Sequence, residues 1–442
     1  MNDRTKATNS FLDGFRELER VLTRNGPGWL VEARRGSRAR FDQLGFPTTN
    51  EEAWRNTNVS PIAQGSFRPA ERATISFDRL PALARLDLGG PRVVLVDGHL
   101  DPSLSRLDPL PRGLEVDGLG RLLARDPDAV QSWWSEFRAE DGSAFRALNT
   151  TLAQDGAVVR TAPRTIVDHP LHVVHVATGE TAARGSHNAT HSRCLVSAGE
   201  ASRLHVVESY VAIGAEPYLT NAVTEVELAD GAVLQHDRIQ LESAGAYHIA
   251  TVDSRQRGST LYVARHFNFG GKLVRNELRS RLDGDGGNCT IDGLYVTRGS
   301  QHVDNHTLLD HARPHCDSRE LFKGILMGRS RTVFHGRIIV RQAAQKTDAK
   351  QSNPNLLLSG EALAHTRPQL EIYADDVKCT HGATIGQLDR DAIFYLRSRG
   401  IDDDSARNLL TAAFAGEILD RVTIEPLREL LAAEVGRRLA AG

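Results

Sequence analysis

Apolar residues recur at helical spacing near the start of the chain. Phe11, Phe15, Leu18, Val21 and Leu22 fall on one stripe and predict a helix, and a second short apolar group follows at Trp29, Leu30 and Val31. After Pro47 comes a polar segment containing Glu52, Trp54, Arg55 and Thr57, then an apolar strand at 92–96 that ends in a turn signal, Asp97-Gly98. From about 158 to 377 the pattern changes to short runs rich in Val, Ile, Leu and Tyr, separated by turns and uninterrupted by any long amphipathic stretch. The runs include 171–176, 204–207, 223–228, 233–241, 261–267, 291–296, 332–340 and 370–373. Helical spacing then returns. Asp389 is placed to cap a helix carrying Ile393, Phe394 and Leu396 that stops at Gly400. Asp402, Asp403, Asp404 and Ser405 open a second helix whose apolar stripe reads Leu409, Leu410, Ala413, Phe414 and Ile418, and a last one carries Leu427, Leu430, Leu431, Val435 and Leu439.

Within the β region, Gly199, Gly231, Gly258, Gly286, Gly328 and Gly360 recur at intervals of roughly 30 residues, the loose periodicity expected when each coil stacks on the last. A sandwich or barrel would give strands every 8–12 residues or so with hairpin turns, and Asn-Gly hairpins are absent from this span. A β-solenoid is therefore expected at 158–377, between an N-terminal helical and mixed α/β region at 1–157 and a C-terminal helical, partner-binding region at 378–442.

A length of 442 residues accommodates two or three such units. The 54 Lys and Arg nearly balance the 56 Asp and Glu, for a net charge of −2, so no global field recruits nucleic acid or an anionic membrane. Met1 to Ser10 is polar, and no run of about 18 apolar residues occurs; a cytoplasmic protein is expected. Cys194, Cys289, Cys316 and Cys379 are scattered without a Cys-x-x-Cys pair, which fits thiols in a reducing compartment.

The sequence holds no phosphate-binding loop, nucleophile elbow, His-Glu-x-x-His pair or dinucleotide fingerprint, and no catalytic residue is assigned. Seven residues, His302, Asp304, His306, Asp310, His311, His315 and Cys316, have the chemistry of metal ligands. The period-two spacing of His302, Asp304 and His306 favours a plainer reading, a solvated sheet face. More suggestive is Lys378-Cys379-Thr380-His381 at the exit from the last expected strand. There the thiol and the imidazole aim the same way, and Lys378 is placed to lower the thiol pKa. One Cys and one His do not complete a four-ligand site, so any metal chemistry there needs a second chain.

These residues resemble the SufB/SufD family of the Suf iron–sulfur cluster assembly system. The resemblance rests on Pro47-Thr48 through Glu52-x-Trp54-Arg55-x-Thr57, on Leu148-Asn149 with Asp155-Gly156, and on most of the chain from Arg275 to Arg421. Within that last stretch the specific segments are His302 with His306 and His311, Ser318-Arg319-Glu320-Leu321-Phe322-Lys323-Gly324-Ile325, Gln345-Lys346-Thr347-Asp348-Ala349 with Gln351-Ser352, and Ile393 to Gly400. Cys379-Thr380-His381-Gly382-Ala383-Thr384-Ile385-Gly386 looks like the SufD-type branch. The resemblance implies a right-handed parallel β-helix flanked by helical regions. It also implies a non-catalytic scaffold subunit in complex with a SufB-like paralogue and a SufC-like ATPase, the ATPase docking on the C-terminal helices from 389 to 420. The last solenoid strands, about 356–377, would pair with the paralogue. His381, with Cys379 as a weaker candidate, is the implied metal ligand for a transient iron–sulfur cluster at that interface, no cofactor being held stably by the chain alone.

Three alternatives stand beside this reading: a SufB-like subunit, a homodimeric scaffold acting alone, and a polysaccharide-acting β-helix enzyme. The last is suggested by fold class only.

Overall fold

Ten-residue strands fill most of the chain from Arg203 to Leu357, and their period of two decides which side chains enter the core. The protein is described here from a computed structural model covering residues 11–24, 26–136, 143–179 and 185–440; the stretch Met1 to Ser10 lies outside them. Before the stack come β1 (Phe67–Pro69), β2 (Arg92–Val96), β3 (His99–Leu100), β4 (Leu114–Gly118), β5 (Ala157–Thr161), β6 (Leu171–Ala177), β7 (His187–Thr190) and β8 (Arg193–Ala198). The stack itself runs through β9 (Arg203–Ala212), β10 (Leu219–Leu228), β11 (Val233–Leu241), β12 (Tyr247–Gln256), β13 (Leu261–Asn268), β14 (Leu273–Leu282) and β15 (Asn288–Thr297). It continues with β16 (His302–His311), β17 (Asp317–Leu326), β18 (Arg331–Val340), β19 (Asp348–Leu357), β20 (Leu363–Ile372) and β21 (Lys378–Gly386).

Successive strands alternate between two sheets. One has the order β20-β18-β16-β14-β12-β10-β8-β5-β4 and the other β21-β19-β17-β15-β13-β11-β9-β6-β2-β3. Pairing along both stacks is parallel, as between β16 and β18 or β19 and β21. The antiparallel pairs lie at the start, in the β2–β3 hairpin that turns at Asp97-Gly98 and in the β4–β5 pair. The parallel solenoid core expected from the sequence is therefore present. It extends through Gly386, into residues that the sequence pattern assigned to the helical region.

Six successive coils turn one corner through a residue with positive φ: Ala201, Gly231, Ser259, Gly286, His315 and Lys346. The N–H of each donates to a carbonyl of the following coil, from Ala201 N to Asp230 O through Lys346 N to Asp376 O. Only two of these six are glycine. The left-handed conformation costs a residue with a Cβ roughly 1–2 kcal/mol, which the inter-coil hydrogen bond helps offset.

Helices longer than six residues occupy the two flanks. At the N-terminal side lie α1 (Arg16–Arg24), α2 (Gly28–Leu44), α3 (Leu119–Arg125), α4 (Asp128–Glu136) and α5 (Ala144–Leu152). The helix expected from Phe11 onward is broken at Gly14, where a Cβ would stand 2.3 Å from Phe67 O; the backbone passes too close for any side chain. Phe11 and Phe15 are buried all the same, whereas Val21 is exposed. Helix α5 is buried throughout and is pinned to the sheet by Asn149, whose Nδ2 donates to Ser192 O and Asn221 O at 2.9 Å each.

At the C-terminal side, α6 (Arg390–Ser398), α7 (Asp403–Leu419) and α8 (Glu425–Ala440) follow the last strand. Asp389 caps α6, Gly400 at φ 88° ends it, and Asp402 caps α7. Helix α7 buries only part of the stripe expected from its sequence, Ile418 fully and Phe414 in part. The face turned to the β-sheet is Ala406, Thr411, Ala415, Ile418 and Leu419, and Leu409 is exposed. The rotation follows from polar anchors at the sheet: Lys323 Nζ meets Glu417 Oε2 at 2.6 Å, and Arg421 Nη1 donates to Asp292 Oδ1 at 2.7 Å.

Candidate functional site at the open end of the solenoid

Strands β20 and β21 end their sheets, so each presents an edge without a partner strand. The stretch expected to pair with a second chain, 356–377, contains one of these edges, β20, and misses the other. Residues 356 and 357 belong to β19, which is paired on both sides by β17 and β21; the unpaired edges are Leu363–Ile372 and Lys378–Gly386.

Cys379 and His381 therefore lie on the last strand and not beyond it. Register aligns them with Ala349 and Gln351, then with Ser318 and Glu320 one coil deeper. Ser318, Ala349, Glu320 and Gln351 are all buried, so this column faces the interior, and Cys379 packs against the solenoid core. His381, at the end of its column, is exposed. Lys378 does not activate the thiol as the sequence suggested. Partial burial raises the Cys379 pKa and nearby Asp348 adds to this, because alternation sends Lys378 to the opposite face, in register with Asp348.

Behind these residues the interior is polar. Gln351 Nε2 donates to Glu320 Oε2 at 2.6 Å. Burial pushes the Glu320 carboxyl up to about 7, against the opposing hydrogen bonds from Thr307 and Gln351. Asn353 Nδ2 donates to Tyr295 Oη at 2.9 Å, and Tyr295 Oη to Asn355 Oδ1 at 2.7 Å.

The seven-residue polar group does not form one site. His302, Asp304 and His306 share the outer face of β16, while His311 points inward to Ser318 Oγ at 2.9 Å. Asp310 pairs with Arg341 at 2.8 Å, His315 sits at a corner, and Cys316 Sγ donates to Gly284 O at 3.4 Å. Nor is the outer face solvated, as its spacing alone implied. The N-terminal segment covers it: Thr57 Oγ1 donates to Asp304 Oδ2 at 2.5 Å and lies 2.9 Å from His302 Nε2. Arg275 Nη1 donates to Asp304 Oδ2 at 2.5 Å and to Ala53 O at 2.8 Å. Burial alone would raise the Asp304 pKa, but Arg275 and His306 overcome it and hold the carboxylate well below its usual range. Two segments of the resemblance more than 200 residues apart thus meet in one ion-pair network.

Sequence reasoning missed a group at the other end of the interior, where His175, Cys194 and Glu208 lie with ligand atoms within 4.8 Å of one another. Cys194 Sγ is 3.8 Å from His175 Nε2, which is 3.5 Å from Glu208 Oε1. Both carboxylate oxygens are already occupied. Oε1 accepts from Tyr210 Oη at 2.6 Å and Thr224 Oγ1 at 2.9 Å, and Oε2 from Arg238 Nε at 3.0 Å with His236 Nε2 at the same distance. Burial pushes the Cys194 thiol far above its usual range, so it is protonated. The Glu208 carboxylate is hydrogen-bonded at both oxygens, and a metal would have to displace donors already in place. Phase along β9 offered the signal, since Glu208 shares the inward parity of Leu204 and Val206.

Comparison with known proteins agrees with the geometry. Residues 179–414 match the family model described as SUF system FeS cluster assembly, SufBD core domain, and residues 5–173 match the SufBD protein N-terminal region. The iron–sulfur cluster assembly protein SufD of Escherichia coli is 33% identical over 404 residues, covering 90% of this chain and 91% of its own. An iron–sulfur cluster assembly SufBD family protein of Synechocystis is 32% identical over 407 residues, covering 90% and 89%. A chloroplastic protein of Arabidopsis thaliana is 30% identical over 392 residues, covering 87% and 81%. No helix among the described residues is long and apolar enough to cross a membrane. With both halves of the chain matched and the solenoid in place, the protein belongs to the SufBD family of iron–sulfur cluster assembly proteins.

Proposed function

We propose that this chain is the SufD-type scaffold subunit of a complex with a SufB-like paralogue and a SufC-like ATPase, working in a reducing, cytoplasmic compartment. The observation that carries the proposal is the last coil. Two strand edges lie unpaired there, and a histidine and a cysteine occupy the inward positions of the final strand. Open edges call for a covering chain, and a transient cluster needs ligands that this chain alone does not supply. His381 is the ligand this chain contributes, with Cys379 the weaker candidate beside it.

The ATPase docks on α6 and α7. Phe394 is 73% exposed and Tyr395 57% on α6, and Leu409 is exposed on α7. The sequence carries no phosphate loop of its own, so nucleotide hydrolysis belongs to the partner.

Co-expression with the two partners, followed by native mass measurement and iron and sulfide analysis, tests the proposal. A stable homodimer that ignores both partners would instead favour the scaffold acting alone, since a second copy also satisfies open edges.

A further inference from the structure

Gln351 lies one strand behind His381, in register with it and on the same inward column. Its amide is held from both sides. Nε2 donates to Glu320 Oε2 at 2.6 Å, and on the facing sheet Gly336 leaves room, since a Cβ there would stand 2.2 Å from Gln351 Nε2 and 2.6 Å from its Cδ. Fixed in this way, Gln351 keeps Oε1 buried without a hydrogen-bond partner. Its neighbours on the same strand are not left so: Asn353 donates to Tyr295 Oη and Phe322 O, and Asn355 Oδ1 accepts from Tyr295 Oη. Gln351 Oε1 is thus the open acceptor nearest His381 in this column, one rung behind it, with Glu320 Oε1 likewise unpartnered one rung deeper.

A buried acceptor left unsatisfied costs about 1–3 kcal/mol, and a neutral imidazole always carries one N–H. Metal-bound histidines almost always donate their other ring N–H to a carboxylate or carbonyl oxygen, which fixes the tautomer and turns the lone pair toward the metal.

We propose that Gln351, braced by Glu320 and admitted by Gly336, is a positioning residue for His381: its free Oε1 accepts the ring N–H and so presents the other nitrogen to the metal. This rests on the reading of His381 as a ligand.

The test uses the full chain, 15N-labelled at histidine, for ring tautomer by long-range proton–nitrogen correlation, and the complex with both partners, titrated anaerobically with ferrous iron. Wild type should show one His381 tautomer. Gln351→Met, similar in size but without the amide oxygen, should mix the two tautomers and weaken iron binding about 10-fold, with the complex intact by gel filtration. Glu320→Gln retains an acceptor for Nε2 and should match wild type in both readouts. An unchanged tautomer and unchanged iron affinity in Gln351→Met overturn the proposal. If that variant fails to fold, Gly336→Ala, which displaces the amide without removing it, takes its place, and an unchanged tautomer there is equally fatal. His381→Ala run in parallel separates the two readings. Normal iron in that variant ends the ligand assignment, whereas a tautomer fixed by Gln351 stands on the spectrum alone.

Discussion

The guanidinium of Arg275 lies 4.1 Å from the centre of the Trp54 ring, so the N-terminal segment closes over a charge that β14 would otherwise expose. The same guanidinium binds Asp304 and Ala53 O, and Thr57 completes the cover. Trp54→Ala removes a buried ring and admits water to this network. We expect a loss of about 3 kcal/mol or more in urea unfolding, within the usual range for deleting a buried aromatic. A change below 1 kcal/mol would mean that the segment merely rests on the sheet.

His381→Ala should abolish cluster assembly while the complex elutes at its normal mass, and Cys379→Ala should reduce it less. Iron and sulfide per complex, read beside gel filtration, decide the matter. Dissociation of the His381 variant would make the imidazole an interface residue and not a ligand.

Phe394→Ala should weaken ATPase binding by more than about 1 kcal/mol, as expected for an aromatic anchor at an interface. Stability of the isolated chain should not change, because the ring is exposed and packs against nothing it would leave empty. Calorimetric titration with the ATPase subunit, alongside thermal melting of the chain, separates the two effects.

Glu320 makes stability depend on pH. Its folded pKa, about 7, lies above the usual unfolded value. The folded state therefore holds a proton that the unfolded state releases. Stability is complete below the unfolded pKa and falls as pH rises through about 7, by roughly 3 kcal/mol in all. Glu320→Gln carries no such penalty. Urea denaturation at pH 5 and pH 8 should find the variant more stable than wild type mainly at pH 8, and equal gains at both values would place the effect elsewhere.

Thiol labelling should begin at Cys379. It is only half-buried, whereas burial pushes Cys289 up to about 12 and Cys194 further still. Mass spectrometry after brief treatment of the folded chain with an alkylating agent should find the 379 peptide modified first, and assembly with the paralogue should slow that reaction. Prior modification of Cys194 would contradict the enclosed network around Glu208.

Much of this architecture was legible in the sequence, and the shortfalls have physical causes. The cap at Asp389, the stop at Gly400 and the acidic opening of the next helix at Asp402 are local chemistry and were read correctly. The coil repeat looked imprecise because glycine was used as its marker, whereas what recurs is a backbone conformation. Ala201, Ser259, His315 and Lys346 adopt it as Gly231 and Gly286 do, the carbonyl of the next coil helping to offset the cost of a Cβ. Helix α7 has apolar residues on more than one side, so tertiary anchors such as Lys323 to Glu417 chose the buried face. Period two placed Cys379 and His381 together correctly. It left their distance from the strand end unknown, because β21 carries Thr380, Gly382 and Thr384, residues that also suit a turn.

The parallel stacking has a metric consequence. Each coil advances the two sheets by one interstrand spacing, about 4.8 Å, so the separation between the N-terminal cover on β14 and β16 and His381 on β21 is counted in whole rungs. Insertions at the corners change loop length without altering that count. Adding or deleting a full coil between β16 and β21 would shift the imidazole by one rung while preserving its orientation. The solenoid is in that sense a ruler, graduated by its corner hydrogen bonds, that fixes how far His381 stands from the N-terminal cover.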